Sequence, residues 1–184
     1  RNSMTLPRTV KLKNENGNYR LYFSPIRELQ TLRKENSSTK KKLISGIEQL
    51  SEAHSVPVEL KIDLTLNKES QFGSASNFGI RFNNASNEEL LLGYNEETEQ
   101  LYIDRSKSGI TKFTETFKPI QYAPLEVSNK LTMHIYIDKA SVELFVNGGE
   151  RVMTSIMFPH RIYDSFELFA RNGSVYLDSA EIYE

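Results

Sequence analysis

Asp138 and Glu143 are the carboxylates whose spacing first suggests chemistry. They flank a tight turn in "IYIDKASVELFVNGGE", residues 135 to 150. A pair of acids is the usual tool for cutting a glycosidic bond. Strand geometry argues against that role here. With Lys139 and Ala140 as a two-residue turn, both carboxylates fall on one face, roughly 10 Å apart by strand rise. Inverting glycosidases need about 6.5 to 9.5 Å and retaining ones about 5 Å. An aspartate just before a turn more often bonds its own backbone. Glu143 has two readings: a charge on a wet face, or an anchor for another domain. Phe145 shares its face, and an aromatic there implies a cover.

The other polar groups read as structural. Asp104, Arg105 and Ser108 sit together at a strand end, where a turn brace or internal ion pair outweighs a sugar contact. His54, His134 and His160 are scattered, so no metal site is expected. Glu96, Glu97 and Glu99 bunch in a turn rather than forming the E-x-D-x-x-E row of a jelly-roll glycanase. Asn36, Asn84 and Asn172 each open an Asn-x-Ser sequon, a short pattern that often matches by chance. The reading favours a bacterial protein, in which these sequons would mean little. No cofactor is implied.

The elements that must hold these residues are strands. In "PVELKIDLTL", Val58, Leu60, Ile62, Leu64 and Leu66 alternate with polar residues, giving one dry and one wet face. Segments 19–23, 78–82, 100–104, 130–138, 141–146, 151–157, 166–170 and 174–183 read similarly. Turn clusters lie at 14–18, 83–87, 147–149 and 172–174. Many short strands predict an all-β fold, a two-sheet antiparallel β-sandwich of concanavalin-like jelly-roll type. Residues 26–36 have room for a helical turn or two, and "SSTKKK" (37–42) reads as a solvated loop.

The quoted hairpin has a definite register. Residue 137 should pair with 142, 135 with 144 and 133 with 146. That puts Met133, Ile135, Ile137, Val142, Leu144 and Val146 on one apolar face, and a one-residue slip would scramble it. A three-residue loop at Asn147, Gly148 and Gly149 then places Leu144 opposite Val152 and Val142 opposite Thr154. Gly149 would supply the positive φ.

Composition narrows the function. The 184 residues suit one domain, residues 1–184. The net charge of −1 gives no basic excess for nucleic acid or an anionic membrane surface. Cysteine is absent, which removes disulfides, thiol catalysis and cysteine–zinc sites. No apolar run approaches the ~20 residues of a membrane span. Tryptophan is absent too, which disfavours tight independent sugar stacking, although nine tyrosines and ten phenylalanines remain.

Three stretches in order, "NSMTLPRTVKL" (2–12), "YIDRSKSG" (102–109) and "LTMHIYIDKASVELFVNGGERVMTSIMFP" (131–159), resemble the C-terminal β-sandwich of glycoside hydrolase family 32. "SPIRELQTLR" (24–33) looks like that domain's early segment. The family includes levanases, inulinases and invertases. One departure is Thr9, where the family usually has an acidic residue. The resemblance implies a fragment of a longer enzyme whose N-terminal five-bladed β-propeller carries the catalysis. The family's Asn-Asp-Pro-Asn-like, Arg-Asp-Pro and Glu-Cys signatures do not occur here. Asp138 and Glu143 correspond to positions outside that active site, so no catalytic residue is assigned, and substrate-binding residues stay unknown. The implied role is support of the propeller, an intramolecular partner. The alternative is a fructan-binding module, and an independent glucanase or lyase is disfavoured. Polymeric fructans are too large to import, which implies a secreted, periplasmic or cell-surface parent.

Overall fold

The computed structural model describes residues 4–34, 36–51, 54–69 and 73–184. Among the described residues are thirteen strands: β1 (Arg8–Glu15), β2 (Asn18–Pro25), β3 (Asn36–Thr39), β4 (Lys42–Ser51), β5 (Val58–Leu66), β6 (Asn77–Asn83), β7 (Glu89–Asn95), β8 (Gln100–Lys107), β9 (Ile120–Pro124), β10 (Lys130–Ile137), β11 (Ser141–Val146), β12 (Arg151–Ile156) and β13 (Ser165–Tyr183). A single 3-10 turn, Arg27–Leu32, occupies the segment with helical character.

Two antiparallel sheets form the sandwich. The first runs β12-β11-β10-β5-β13, and the second runs β13-β6-β7-β8-β9. β13 belongs to both. Its first half pairs with β6 and its second half with β5, while β4 lies along both halves and β3 along the end. The expected turn at 172–174 is therefore a bend inside one 19-residue strand. Asn172 at φ 57° and Gly173 at φ 144° make that bend without ending the strand. Residues 37–39 of the expected 37–42 loop belong to β3 and pair with β13, and Lys42 opens β4, leaving Lys40 and Lys41 between strands.

The alternating apolar residues meet in the middle. Leu60, Ile62, Ile135, Val142 and Leu144 of the first sheet join Phe78, Ile80, Phe82, Leu92 and Ile103 of the second in one core. All are at most 1% exposed, which is the burial the period-two pattern requires. Burying a side chain of this size contributes about 1.5–3 kcal/mol relative to leaving it exposed.

The β10–β11 hairpin has the expected register, with Met133 opposite Val146, Ile135 opposite Leu144 and Ile137 opposite Val142. The next hairpin is shifted by one. Leu144 faces Met153, not Val152, and Val142 faces Ser155, not Thr154. The loop holds four residues instead of three, because Val146 pairs with Arg151. Asn147, Gly148 and Gly149 all take positive φ, at 50°, 69° and 93°. β1 and β2 stand apart as a separate two-stranded sheet.

Candidate functional site

The outer face of the first sheet carries a dense polar cluster. Glu143, Tyr136, Glu59 and Tyr183 lie side by side across β11, β10, β5 and β13. The row is a direct consequence of register: each is on the wet side of its strand, and each strand is hydrogen-bonded to the next. Residues 4–6 and the 3-10 turn flank it and leave an open groove of about 560 Å³. Met4, Leu6, Leu29 and Leu32 contribute apolar surface, and Asp138 and Glu184 contribute carboxylates.

Both glutamates of the row are clamped by arginine. Arg33 donates to Glu59 through Nε at 2.7 Å and Nη2 at 2.5 Å. His134 Nε2 lies 2.6 Å from the same carboxylate, and the Arg33 guanidinium stacks 4.0 Å over Tyr183. Burial alone would raise the Glu59 pKa, but the hydrogen bonds from Arg33 and His134 outweigh it and hold the carboxyl at about 2. Tyr136 moves the other way: burial first, then the neighbouring Glu59, pushes its hydroxyl up.

Glu143 is 7% exposed and holds the chain's own N-terminal segment. Its Oε1 accepts from the Leu6 amide and its Oε2 from Arg8 Nη2, both at 2.6 Å. Arg8 also donates to Thr154 and lies 5.3 Å over the Phe145 ring. The expected cover over Phe145 was another domain; here Arg8, His134 and Tyr136 surround that ring, and it is 2% exposed. Glu143 is thus an ion-pair anchor for the chain's own N-terminal segment rather than a free surface charge.

Asp138 is exposed at the turn and accepts from the Lys139 amide at 2.6 Å. The Asp138–Glu143 pair therefore divides into a turn cap and an ion-pair anchor. Both carboxylates are engaged by the chain's own donors, Asp138 by the Lys139 amide and Glu143 by Leu6 and Arg8, rather than facing each other across an open site.

The remaining candidates fall elsewhere. Asp104 caps its own turn by accepting from the Ser106 amide. Arg105 turns inward and donates to the carbonyls of Lys118 and Ile156 at 2.9 and 2.8 Å, with its guanidinium 3.5 Å from the Phe117 ring centre. Ser108 donates to the Arg105 carbonyl. These three brace the end of β8. Each histidine meets a different glutamate: His54 with Glu184, His134 with Glu59 and His160 with Glu88. No group of three metal-ligating side chains occurs among the described residues. Asn84 is buried with its amide bonded to Glu88 and the Arg161 carbonyl, while Asn36 and Asn172 are exposed.

Sequence reasoning missed Arg33, Glu59 and Arg8. Glu59 looked like one more polar residue on a wet face. Its signal was positional: Tyr136 sits between two glutamates once β5 is paired with β10.

The family model described as "Glycosyl hydrolases family 32 C terminal" matches residues 28–184. The chain belongs to glycoside hydrolase family 32. It is the C-terminal domain of the levanase, inulinase and invertase type, a non-catalytic companion of a catalytic domain. Among family 32 relatives, the levanase of Bacillus subtilis (strain 168) is 32% identical over 191 residues, covering 100% of this chain and 27% of that protein. The extracellular exo-inulinase of Aspergillus ficuum is 28% identical, covering 86% of this chain and 30% of that protein. The crystal structure of Aspergillus awamori exo-inulinase superposes with a TM-score of 0.77 at 26% identity, over 98% of this chain and 35% of that one. The chain therefore spans about a quarter to a third of the length of these three relatives. No helix among the described residues is long and apolar enough to cross a membrane.

Proposed function

We propose that this domain supports the catalytic β-propeller of a secreted bacterial enzyme that cleaves fructans or sucrose. The observation that carries the reading is the pairing of a family match over residues 28–184 with a short share of each relative. The acids of the outer face agree with it. Glu59 and Glu143 are spent on arginines that hold the chain's own segments, as expected of a supporting scaffold. The bacterial, extracellular setting draws on the Bacillus levanase and on the relative named an extracellular exo-inulinase.

The test is calorimetric titration of the 184-residue chain with levan, inulin and short fructo-oligosaccharides, with reducing sugar assayed in the same samples. The expected result is neither heat nor product. Millimolar or tighter binding without product would replace support with fructan binding. Sugar release above a buffer blank would overturn the non-catalytic reading.

A further inference from the structure

The β1–β2 hairpin is not built like the rest of the domain. It shares no ladder with the eleven-stranded assembly. Its register sets Val10 opposite Phe23, Leu12 opposite Leu21 and Asn14 opposite Tyr19, so these six residues lie on one face. That face is apolar and open: Val10, Leu12, Tyr19 and Leu21 are 54%, 63%, 69% and 52% exposed. The opposite face carries Lys11, Lys13 and Arg20 around Tyr22. The ribbon is amphipathic, with its dry side uncovered. A two-stranded hairpin is marginally stable at best without such a cover, and a contiguous apolar face of this kind marks an interaction surface.

The hairpin is fastened to the sandwich along β2 and at the start of β1. The Phe23 amide donates to the Gly149 carbonyl at 3.0 Å, Arg20 pairs with Glu150, and Arg8 holds Glu143. These contacts orient the ribbon and leave Val10, Leu12, Tyr19 and Leu21 free.

Two comparisons bear on the occupant. The C-terminal family model begins at residue 28, beyond the hairpin. The Bacillus subtilis levanase nevertheless matches this chain over its full length, hairpin included, while extending far past it. The segment therefore lies where the C-terminal module meets the rest of the longer enzyme. We propose that the β1–β2 hairpin is the docking element for the upstream catalytic domain, laying the Val10–Leu12–Leu21–Tyr19 face against that domain's β-sheet. This rests on the accessory-domain reading above and names the surface through which the support acts.

The test uses the full-length polypeptide, catalytic domain included. Leu12→Asp with Leu21→Asp puts two charges on the dry face; Lys11→Asp with Lys13→Asp alters the cationic face as the control. The expected result is about tenfold faster limited proteolysis between residues 26 and 34 in the leucine variant, as local opening becomes easier, with the lysine variant unchanged. The 184-residue chain carrying the leucine substitutions should melt as the native chain does, because both side chains are already exposed. Native-like proteolysis of the leucine variant would overturn the proposal. Conversion of a full-length dimer to monomers with the domains still tightly joined would assign the face to a second copy, and would also overturn it. A full-length polypeptide that releases no fructose from levan, inulin or sucrose would sink the accessory-domain reading separately, since proteolysis reports the docking without reference to activity.

Discussion

Arg33 and Glu59 are 26 residues apart, and their side chains meet in a two-pronged ion pair, Nε to Oε2 and Nη2 to Oε1. The pair ties the segment after the 3-10 turn to the centre of the first sheet. Two parallel N–H···O bonds give it direction as well as attraction, which a lysine at position 33 could not reproduce.

Removing one partner should therefore be costly. Arg33→Ala leaves Glu59 charged and nearly buried, with His134 still beside it. The expected loss is about 3 kcal/mol, the low end for breaking a buried pair, since Arg33 keeps some solvent contact. Arg33→Met combined with Glu59→Leu should recover most of it, because a matched apolar pair avoids the stranded charge. Denaturant midpoints of the native chain, the single variant and the double variant measure this. Equal loss in the single and double variants would mean the pair contributes nothing of its own.

Acid should find the same pair. Glu59 and Glu88 both have folded pKa values lowered from 4.5 to about 2. For Glu88, burial pushes upward, and hydrogen bonds from Asn84, His160 and Arg161 more than reverse it. A carboxylate with a depressed folded pKa stabilises the fold fully above its unfolded value and loses that contribution as pH falls toward the folded one. Stability should hold at neutral pH and drop between about pH 5 and 2. Glu59→Gln and Glu88→Gln should each flatten that drop while lowering stability at pH 7. Unfolding midpoints at pH 7, 5 and 3 are the measurement, and a native-like slope in both variants would contradict the assignment.

Much of this fold was legible because its strands obey period two. Val58 to Leu66 and Met133 to Val146 show which side is dry, and Ile137 opposite Val142 follows from the turn at Lys139–Ala140. Two kinds of feature escaped. The first is backbone count in loops: Asn147, Gly148 and Gly149 signal a turn, yet nothing in them says that Glu150 joins it and shifts β12 by one residue. Likewise, Asn172 and Gly173 signal a break where the chain only bends. The second is long-range pairing between polar residues. Leu6 and Arg8 reach Glu143 across 137 and 135 residues, and no local pattern encodes that meeting. Arg105 was placed at a strand end with its bracing role, but its aromatic partner Phe117 lies on a loop without periodicity.

Gly148 and Gly149 offer a controlled comparison. Both have positive φ. A Cβ on Gly148 would meet open space, so Gly148→Ala should cost about 1 kcal/mol from backbone conformation alone. A Cβ on Gly149 would sit 2.0 Å from the Phe23 carbonyl oxygen. Gly149→Ala should cost that and more, and should free the base of the β1–β2 hairpin. Thermal unfolding gives the first quantity, and amide exchange at Phe23 gives the second. Equal stability and equal exchange in the two variants would show that the 147–150 loop does not hold the hairpin.

Arg105 is a buried cation facing carbonyls and an aromatic ring rather than a carboxylate. Desolvation by burial lowers its pKa, which is the expected direction for a guanidinium without a counter-charge. Its work is to pin the 110–119 loop: it reaches the Lys118 carbonyl at the loop's end and the Ile156 carbonyl on β12, and it stacks on Phe117, which packs with Phe113 and Phe158. Arg105→Met keeps the length and the apolar stem while removing the donors. It should cost about 2 kcal/mol, the scale of leaving buried acceptors unpaired. Proteolysis should then cut first between residues 111 and 118. Arg105→Lys should rescue little, because one ammonium cannot serve two carbonyls and a ring face together. A lysine variant as stable and protease-resistant as the native chain would show that the charge alone suffices and that the planar fork is dispensable.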